Sequence, residues 1–307
     1  MSLPFTGIVT FTKVPRYDPV ESPVPHAVIL GLPTDEATTQ HPGARYGPRA
    51  IREALTQFSY YKRGRGYYDP ERGQPMLAAL ELRDAGDVDI IPTLREENAG
   101  RITEAVATLL ARGIFPVYLG GDHSVTAAIL PAFSAAPIHL VQIDAHMDFA
   151  DDLAGARTTH ASPMRRAREL GHVRSLSQIG IRSIVSSVED YEAARALGNR
   201  LVTTAEVLAT PGRDWWADLS GDCYLTLDID AFDPAAAPGT GFAEPGDLTF
   251  RDVARIIRTL TGRLRLRRMD LVEVNPYLDP SRRTPLLAAR TILEVLSCAF
   301  DPPSPQP

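Results

Sequence analysis

Short apolar segments alternate with amphipathic segments along most of this chain. We predict strands in HAVILGLP (26–33), FPVYLGG (115–121), IHLVQID (138–144), CYLTLDID (223–230) and the segment that ends in MDLVEVNP (269–276). We predict helices in GPRAIREALTQF (47–58), GRITEAVATLLARG (100–113) and RTPLLAARTILEVLS (283–297). Short apolar strands separated by helices indicate βαβ units, so the pattern predicts an α/β fold with a parallel sheet.

The composition limits the classes of protein to which the chain can belong. It has 307 residues with 38 acidic against 32 basic side chains, a formal net charge of −6, and no lysine- or arginine-rich run. We therefore expect no nucleic-acid partner. No apolar stretch reaches about 18 residues, so we expect no transmembrane helix and no membrane partner. The only cysteines, Cys223 and Cys298, exclude a disulfide framework and a cysteine zinc site.

The chain shows no internal repeat and no linker, so we predict a single domain over residues 1–307. Within it, residues 1–25 are predicted to form an N-terminal extension, and residues 301–307, DPPSPQP, a flexible tail. The N-terminal residues lack the charged and apolar regions of a signal peptide. We therefore expect a cytoplasmic protein.

Polar side chains stand where three of the predicted strands end. The three motifs are Asp122-His123-Ser124, Asp144-Ala145-His146-Met147-Asp148 and Asp228-Ile229-Asp230. Ligands of parallel sheets collect beyond the carboxyl ends of the strands, so we expect the motifs to meet there. If the second motif is extended, its three polar side chains project to one side. Each motif alone is also typical of a turn or a helix cap, but three in one chain favour a shared site.

Four carboxylates at an apolar sheet edge repel one another and raise one another's pKa values. Two divalent cations would balance the formal charge of −4 that is carried by Asp144, Asp148, Asp228 and Asp230. Oxygen donors with two imidazoles and no thiolate favour Mn²⁺ over a structural zinc site, with Ni²⁺, Co²⁺ and Zn²⁺ as alternatives. Two such cations lower the pKa of a shared water.

In these motifs the chain resembles the ureohydrolases, the family that includes arginase and agmatinase. The resemblance rests on LPTDEATTQHPGARYGPRAIREA (32–54), GGDHS (120–124), DAHMD (144–148), DIDAFDPAAAPGTG (228–241) and DLVEVNPYLDP (270–280). It therefore covers nearly the whole chain. The stretches PGARYGPRAIRE and APGTG resemble the agmatinase branch more closely than the arginase branch.

The resemblance implies a fold, an assembly and a set of metal ligands. The fold is a three-layer α/β/α sandwich around a mostly parallel sheet of about eight strands, and the assembly is a homo-oligomer, either a trimer or a hexamer. Two Mn²⁺ ions per subunit are implied. Asp144 and Asp228 would bridge them, His123 and Asp148 would complete one ion's ligands, and His146 and Asp230 the other's.

The resemblance also implies three catalytic residues. His160 would shuttle protons near the leaving amine, Glu273 would hold the guanidinium group, and Asp148 would pass a proton to the leaving nitrogen. Many agmatinase relatives have glycine after this histidine, where the present chain has Ala161. From the residues alone, His160 could instead begin a helix and Glu273 could pair with an arginine at a strand end.

The implied reaction is the hydrolysis of a small cationic guanidino compound to urea and an amine, with agmatine, which yields putrescine, as the first candidate. Asp151 and Asp152 would bind a cationic tail, whereas Arg157 would bind the carboxylate of a guanidino acid. Guanidinobutyrate, guanidinopropionate and guanidine therefore stay as alternatives, with formimidoglutamate less favoured.

Two other classes of protein use related scaffolds. A regulatory or binding homologue without activity is disfavoured because all six ligand positions, His160 and Glu273 are present. A deacetylase with a single zinc ion is disfavoured by the double set of ligands.

Overall fold

The structure is a computed structural model that describes residues 6–20, 22–58, 66–133, 137–246 and 248–301. Its strands are β1 (Ala27–Gly31), β2 (Tyr67–Asp69), β3 (Gln74–Met76), β4 (Leu82–Asp87), β5 (Phe115–Leu119), β6 (Ile138–Ile143), β7 (Val173–Ile181), β8 (Arg200–Thr203), β9 (Asp222–Asp228) and β10 (Arg265–Val272). Its α-helices are α1 (Gly47–Ala54), α2 (Arg95–Leu110), α3 (Val125–Ile129), α4 (Pro163–Arg168), α5 (Val188–Ala196), α6 (Thr204–Ala209), α7 (Phe250–Arg263) and α8 (Arg283–Phe300).

Eight of these strands form one sheet in the order β4-β1-β5-β10-β9-β6-β7-β8. Every pairing in this sheet is parallel, which confirms the predicted α/β class and strand number. The remaining two, β2 and β3, form a separate antiparallel pair. The last strand of the chain, β10, lies between β5 and β9 near the middle of the sheet.

Helices cover both faces of the sheet, as the predicted three-layer sandwich requires. Successive residues of β1 show this, because Ala27 and Ile29 pack in one core while Val28 and Leu30 pack in the other. Residues of α1, α6, α7 and α8 belong to the first core, and residues of α2, α3, α4 and α5 to the second. Burial on both faces explains why the central strands are almost continuously apolar.

Three strands of the sheet were not predicted, and their composition explains why. The edge strand β4 reads LRDAGD, β7 carries serine and glutamine among its apolar residues, and β8 has only four residues. The predicted strand over 223–230 ends at Asp228, because the amide of Asp230 donates to Asp228 Oδ1 over 2.8 Å and starts a 3₁₀ turn, Ile229–Ala231. Helix α2 begins at Arg95 rather than at residue 100.

The ends of the chain are joined to the core through a few contacts. In the predicted N-terminal extension, Phe11 and Val14 are buried in the core of α1 and α8, and the amide of Phe11 donates to Asp84 Oδ2. Only Asp301 of the predicted tail is described, and its carboxylate accepts from the amide of Leu77; residues 302–307 lie outside the described residues. Among the described helices, none has the length and apolarity to cross a bilayer.

Candidate metal centre

Four neighbouring strands end at one edge of the sheet, and the predicted site residues lie just beyond them. His123 follows β5, Asp144 follows β6, Asp228 is the last residue of β9, and Glu273 follows β10. Because these strands are adjacent in the order β5-β10-β9-β6, the three motifs meet although they are far apart in the sequence.

The first group of side chains surrounds His123. Its Nδ1 atom lies 2.8 Å from Asp148 Oδ2, 3.2 Å from Asp144 Oδ2 and 3.3 Å from Asp228 Oδ2. The ring is buried, yet Nδ1 has no hydrogen-bond partner among the described residues. A buried nitrogen that faces three carboxylates without a hydrogen bond is arranged as a metal ligand would be.

The second group surrounds His146. Its Nδ1 atom lies 2.9 Å from Asp230 Oδ2 and 3.5 Å from Asp144 Oδ1. One ligand atom each from Asp144, His146 and Asp230 can be chosen so that all lie within 4.8 Å of one another, and the same holds for His123, Asp144 and Asp148. Asp144 therefore belongs to both groups and would be shared if each group held an ion.

The negative charge of the buried carboxylates in the cluster would be stabilised by a cation. Burial, followed by repulsion from nearby carboxylates, raises the pKa of Asp148 and raises that of Asp228 well above its usual range. The same causes raise the pKa of Asp230 to about 6. Burial also acts to raise the pKa of Asp144, but contacts with His123 and His146 outweigh it and lower that pKa. Carboxylates and imidazoles in this arrangement fit divalent metal ions.

Tight turns, rather than an extended strand, bring the second motif into the site. The predicted alternation of its side chains is wrong, because β6 ends at Ile143 and the amide of His146 donates to Asp144 Oδ1 over 2.6 Å. Asp148 and Glu273 have φ values of +48° and +63°. This left-handed conformation costs about 1–2 kcal/mol in a residue with a side chain, and such strain is concentrated at functional sites.

His160 and Glu273 lie beside the cluster and contact each other. His160 Nδ1 is 3.3 Å from Glu273 Oε1, which also accepts from the amide of His123 over 2.9 Å. On the other side of the ring, the amide and the hydroxyl of Thr39 lie 3.2 and 2.8 Å from His160 Nε2. Burial acts to lower the pKa of His160, but the contact with Glu273 and the charges of Asp148 and Asp122 together outweigh it and raise the pKa.

Asp122 is a site residue to which the sequence analysis gave no role. Its Oδ2 atom accepts from the amide of Ala37 over 2.9 Å, and the carbonyl of Ala37 accepts from the amide of His160. Burial, followed by the charge of Glu273, raises the pKa of Asp122 to about 6. Asp122 thus holds the segment that carries Thr39 against the metal centre.

A cavity of about 400 Å³ opens beside the cluster. Of the predicted metal ligands and catalytic residues, the cavity is lined by His146, Asp148, Asp228, Asp230, His160 and Glu273. Its other lining residues are Thr39, Phe149, Ala150, Asp152, Leu153, Ala161, Val185, Ser186, Ser187, Asp190 and Phe242. No lysine or arginine of the described residues lines this cavity.

Of the three residues predicted to bind substrate, the structure brings only Asp152 into the cavity. Asp151 lies 2.5 Å from Arg166, and Arg157 lies 2.8 Å from Glu169, both in exposed ion pairs. The placement of Asp151 and Arg157 outside the cavity differs from our prediction, because Asp151 pairs with arginines of α4 and Arg157 pairs with Glu169. Asp190, in the first turn of α5, lines the cavity and was missed.

A row of polar side chains lies inside the sheet beneath the cluster. The register pairs Gln178 with Gln142, Gln142 with Thr226, and Thr226 with Asp270 across β7, β6, β9 and β10. Gln142 Nε2 donates to Asp144 Oδ2 over 2.6 Å, and Gln178 Nε2 donates to Gln142 Oε1 over 2.6 Å. We refer to these four residues as the polar row. The sequence showed them only as isolated polar residues within predicted strands or, for Gln178, in an unpredicted one.

Comparisons with known proteins agree with this geometry. The sequence profile of the arginase family matches residues 25–298. Mitochondrial guanidino acid hydrolase of Homo sapiens is 36% identical over 291 residues, which are 89% of this chain and 78% of that protein. Mitochondrial agmatinase of Gallus gallus is 35% identical over 281 residues, 88% of this chain and 80% of that protein. The structure of proclavaminate amidino hydrolase from Streptomyces clavuligerus superposes with a TM-score of 0.85 at 32% identity, covering 97% of this chain and 99% of that one.

Proposed function

The chain belongs to the arginase family and is a hydrolase of guanidino compounds, and we propose that it cleaves agmatine to putrescine and urea. The observation that carries the choice of substrate is the lining of the cavity. Besides the metal cluster and Glu273, it contains two further carboxylates, Asp152 and Asp190, and no lysine or arginine among the described residues.

We propose that two Mn²⁺ ions bind at the cluster. His123 and Asp148 would hold one ion, His146 and Asp230 the other, and Asp144 and Asp228 would be shared. The nitrogen of His123 that faces three carboxylates without a hydrogen bond supports this assignment. When bound, two such cations lower the pKa of a water molecule and stabilise negative charge that develops on the substrate.

The protein's own groups orient the guanidinium and move protons. The Glu273 carboxylate is held by the amide of His123 and accepts paired N–H donors from the planar guanidinium. The Asp148 carboxylate receives the proton of the attacking water and passes it to the leaving nitrogen. His160 then exchanges protons between the leaving amine and solvent.

A cationic tail fits the outer part of the site better than an anionic one. Asp152 Oδ1 accepts from the amide of Gly155, and Asp190 Oδ2 accepts from the hydroxyl of Ser187. Neither carboxylate pairs with a lysine or arginine of the described chain. An ammonium group would therefore find opposite charge here, whereas a carboxylate would meet two like charges.

A panel of guanidino substrates tests this proposal. Agmatine should be cleaved with a kcat/KM at least about 10-fold above those for guanidinobutyrate, guanidinopropionate and arginine. This factor corresponds to about 1.4 kcal/mol, the difference expected when an attractive charge contact at the tail is replaced by a repulsive one. The Asp190→Asn variant should lose about 3- to 10-fold in kcat/KM for agmatine and little for guanidine, which has no tail. The Asp151→Asn variant is the matched control, because Asp151 lies outside the cavity. Urea release from guanidinobutyrate but not from agmatine would contradict the choice of substrate.

Hydrolysis of a guanidino acid is the second candidate, since the relative with 36% identity is a guanidino acid hydrolase. Under this alternative the tail carboxylate would need a donor within the cavity. The hydroxyls of Ser186, Ser187 and Thr39 are available for that contact. The same substrate panel distinguishes the two candidates.

We expect His160→Asn to slow urea release by about 10²-fold and to leave the Mn²⁺ content unchanged, because His160 transfers protons but holds no metal. The Glu273 carboxylate raises the pKa of His160, so the protonated form that donates to the amine persists to higher pH. The wild-type rate should therefore fall as the pH rises through this raised pKa, and the rate of the variant should not show this fall. His26→Asn, an exposed histidine outside the site, is the control. An unchanged pH–rate profile in His160→Asn would remove the shuttle role.

We also propose that the chain forms a homo-oligomer, a trimer or a hexamer. Exposed apolar side chains near the cavity support this, since Ile184 and Val188 are 94% and 67% exposed in the single chain. Light scattering of the purified protein measures the assembly.

A further inference from the structure

One member of the polar row, Asp270, accepts hydrogen bonds from three hydroxyl groups. Thr226 donates to Oδ1 over 2.5 Å, while Thr126 and Tyr224 donate to Oδ2 over 2.8 and 2.6 Å. All four side chains are fully buried. A hydroxyl has one hydrogen to donate, and an ionised carboxylate has none. Each of these three hydroxyls therefore donates its hydrogen to Asp270.

The hydroxyl of Thr226 also contacts a proposed metal ligand. His123 Nε2 lies 2.8 Å from Thr226 Oγ1. Since the hydrogen of Thr226 is directed at Asp270, its oxygen can only accept, and Nε2 must carry the proton. A neutral imidazole that is protonated at Nε2 has its lone pair at Nδ1. That atom faces Asp144, Asp148 and Asp228.

We propose that Thr226, itself oriented by Asp270, is a positioning residue that fixes His123 as the tautomer able to bind metal through Nδ1. The inference rests on the metal centre of the proposed function. It concerns only the ion that His123 holds, because the described contacts of Thr226 lead to His123 and not to His146.

The arrangement is costly if it serves packing alone. Burial raises the pKa of Asp270, which shows that the protein interior disfavours this charge. Apolar residues would fill a parallel sheet at this depth without that cost. The contacts from Asp270 through Thr226 to His123 give the buried carboxylate a positioning role. Such outer contacts of a ligating histidine set its tautomer and orientation.

The test measures Mn²⁺ binding by the full-length chain, by isothermal titration with Mn²⁺ alone and by metal analysis after dialysis. Thr226→Val removes the acceptor of the Nε2 proton and keeps the side-chain shape. We expect one of two Mn²⁺ ions to bind about 10- to 100-fold more weakly and the other to bind as in the wild type. Thr226→Ser retains the hydroxyl and should restore binding to within about 3-fold of the wild type.

Tyr224→Phe is the matched control, because it removes a hydroxyl donor to the same carboxylate from the same strand but contacts no ligand. We expect both Mn²⁺ ions to bind as in the wild type. Equal weakening in Tyr224→Phe and Thr226→Val would overturn the proposal and assign the hydroxyls a purely structural role, as would wild-type affinity in Thr226→Val.

Thermal unfolding of each variant shows whether it folds. If Thr226→Val does not unfold cooperatively, Thr226→Ala replaces it with the same expected loss, and failure of both to fold overturns the proposal. Should the wild-type chain itself bind no Mn²⁺, the proposed function fails rather than this inference alone. If the wild-type chain binds two ions and the Thr226→Val variant binds both equally well, only the inference about Thr226 is refuted.

Discussion

The Asp230→Asn variant is expected to release urea from agmatine at least about 10³-fold more slowly than the wild type and to bind one Mn²⁺ fewer. Asp230 Oδ2 lies 2.9 Å from His146 Nδ1, so this carboxylate and this imidazole would share an ion. Asparagine has the same shape but only one oxygen and no charge. The remaining donors, His146 and the shared Asp144 and Asp228, then provide too little negative charge to retain that ion. Metal analysis of the dialysed protein and a urea assay measure both effects.

Asp233→Asn is the matched control for this prediction. Asp233 belongs to the same sequence motif, but it caps a turn through the amide of Ala235 and does not line the cavity. Asparagine retains the accepting oxygen, so this variant should keep two Mn²⁺ ions and nearly full activity. If Asp230→Asn turned over substrate as fast as Asp233→Asn, the assignment of the cluster as the catalytic metal centre would be wrong.

The second large effect is expected from Glu273→Gln. We expect kcat/KM for agmatine to fall by about 10²–10³-fold, the size of losing one partner of a buried charge pair, while two Mn²⁺ ions stay bound. Glutamine preserves the acceptor for the amide of His123, so the loop geometry is maintained. The substitution removes only the negative charge that faces the guanidinium group of the substrate. Steady-state kinetics together with Mn²⁺ titration separate the two effects.

Glu273→Ala serves as the comparison because it also removes the acceptor for His123. We expect this variant to lose metal affinity as well as activity. Near-normal kcat/KM in Glu273→Gln would show that Glu273 holds the loop and does not bind the substrate.

The residues of the cluster could be predicted because each stands in a short motif at the end of an apolar run. Parallel strands place such ends at one edge, so His123, Asp144 and Asp228 required no knowledge of the strand order. The local backbone could not be predicted in the same way. The amino-acid sequence around Asp148 or Glu273 gives no sign of a positive φ, because the surrounding packing imposes this conformation.

The residues that we propose to contact the substrate tail were much harder to predict. Asp151 and Asp152 are neighbours in an exposed loop, and only the position of Arg166 on α4 decides that Asp151 forms an ion pair while Asp152 lines the cavity. Asp190 lies far along the chain, in a helix that follows an unpredicted strand. Tertiary contacts, not local patterns, select these residues.

The place of β10 has a consequence for how the protein is made. Without this strand the sheet consists of two parts, β4-β1-β5 and β9-β6-β7-β8, with no pairing between them. His123 belongs to the first part, and the aspartates of the cluster belong to the second. A nascent chain on the ribosome therefore cannot complete the centre until residues 265–272 have emerged. The proposed site around His123 would thus assemble late in folding, whereas the group of Asp144, His146 and Asp230 lies within the second part alone.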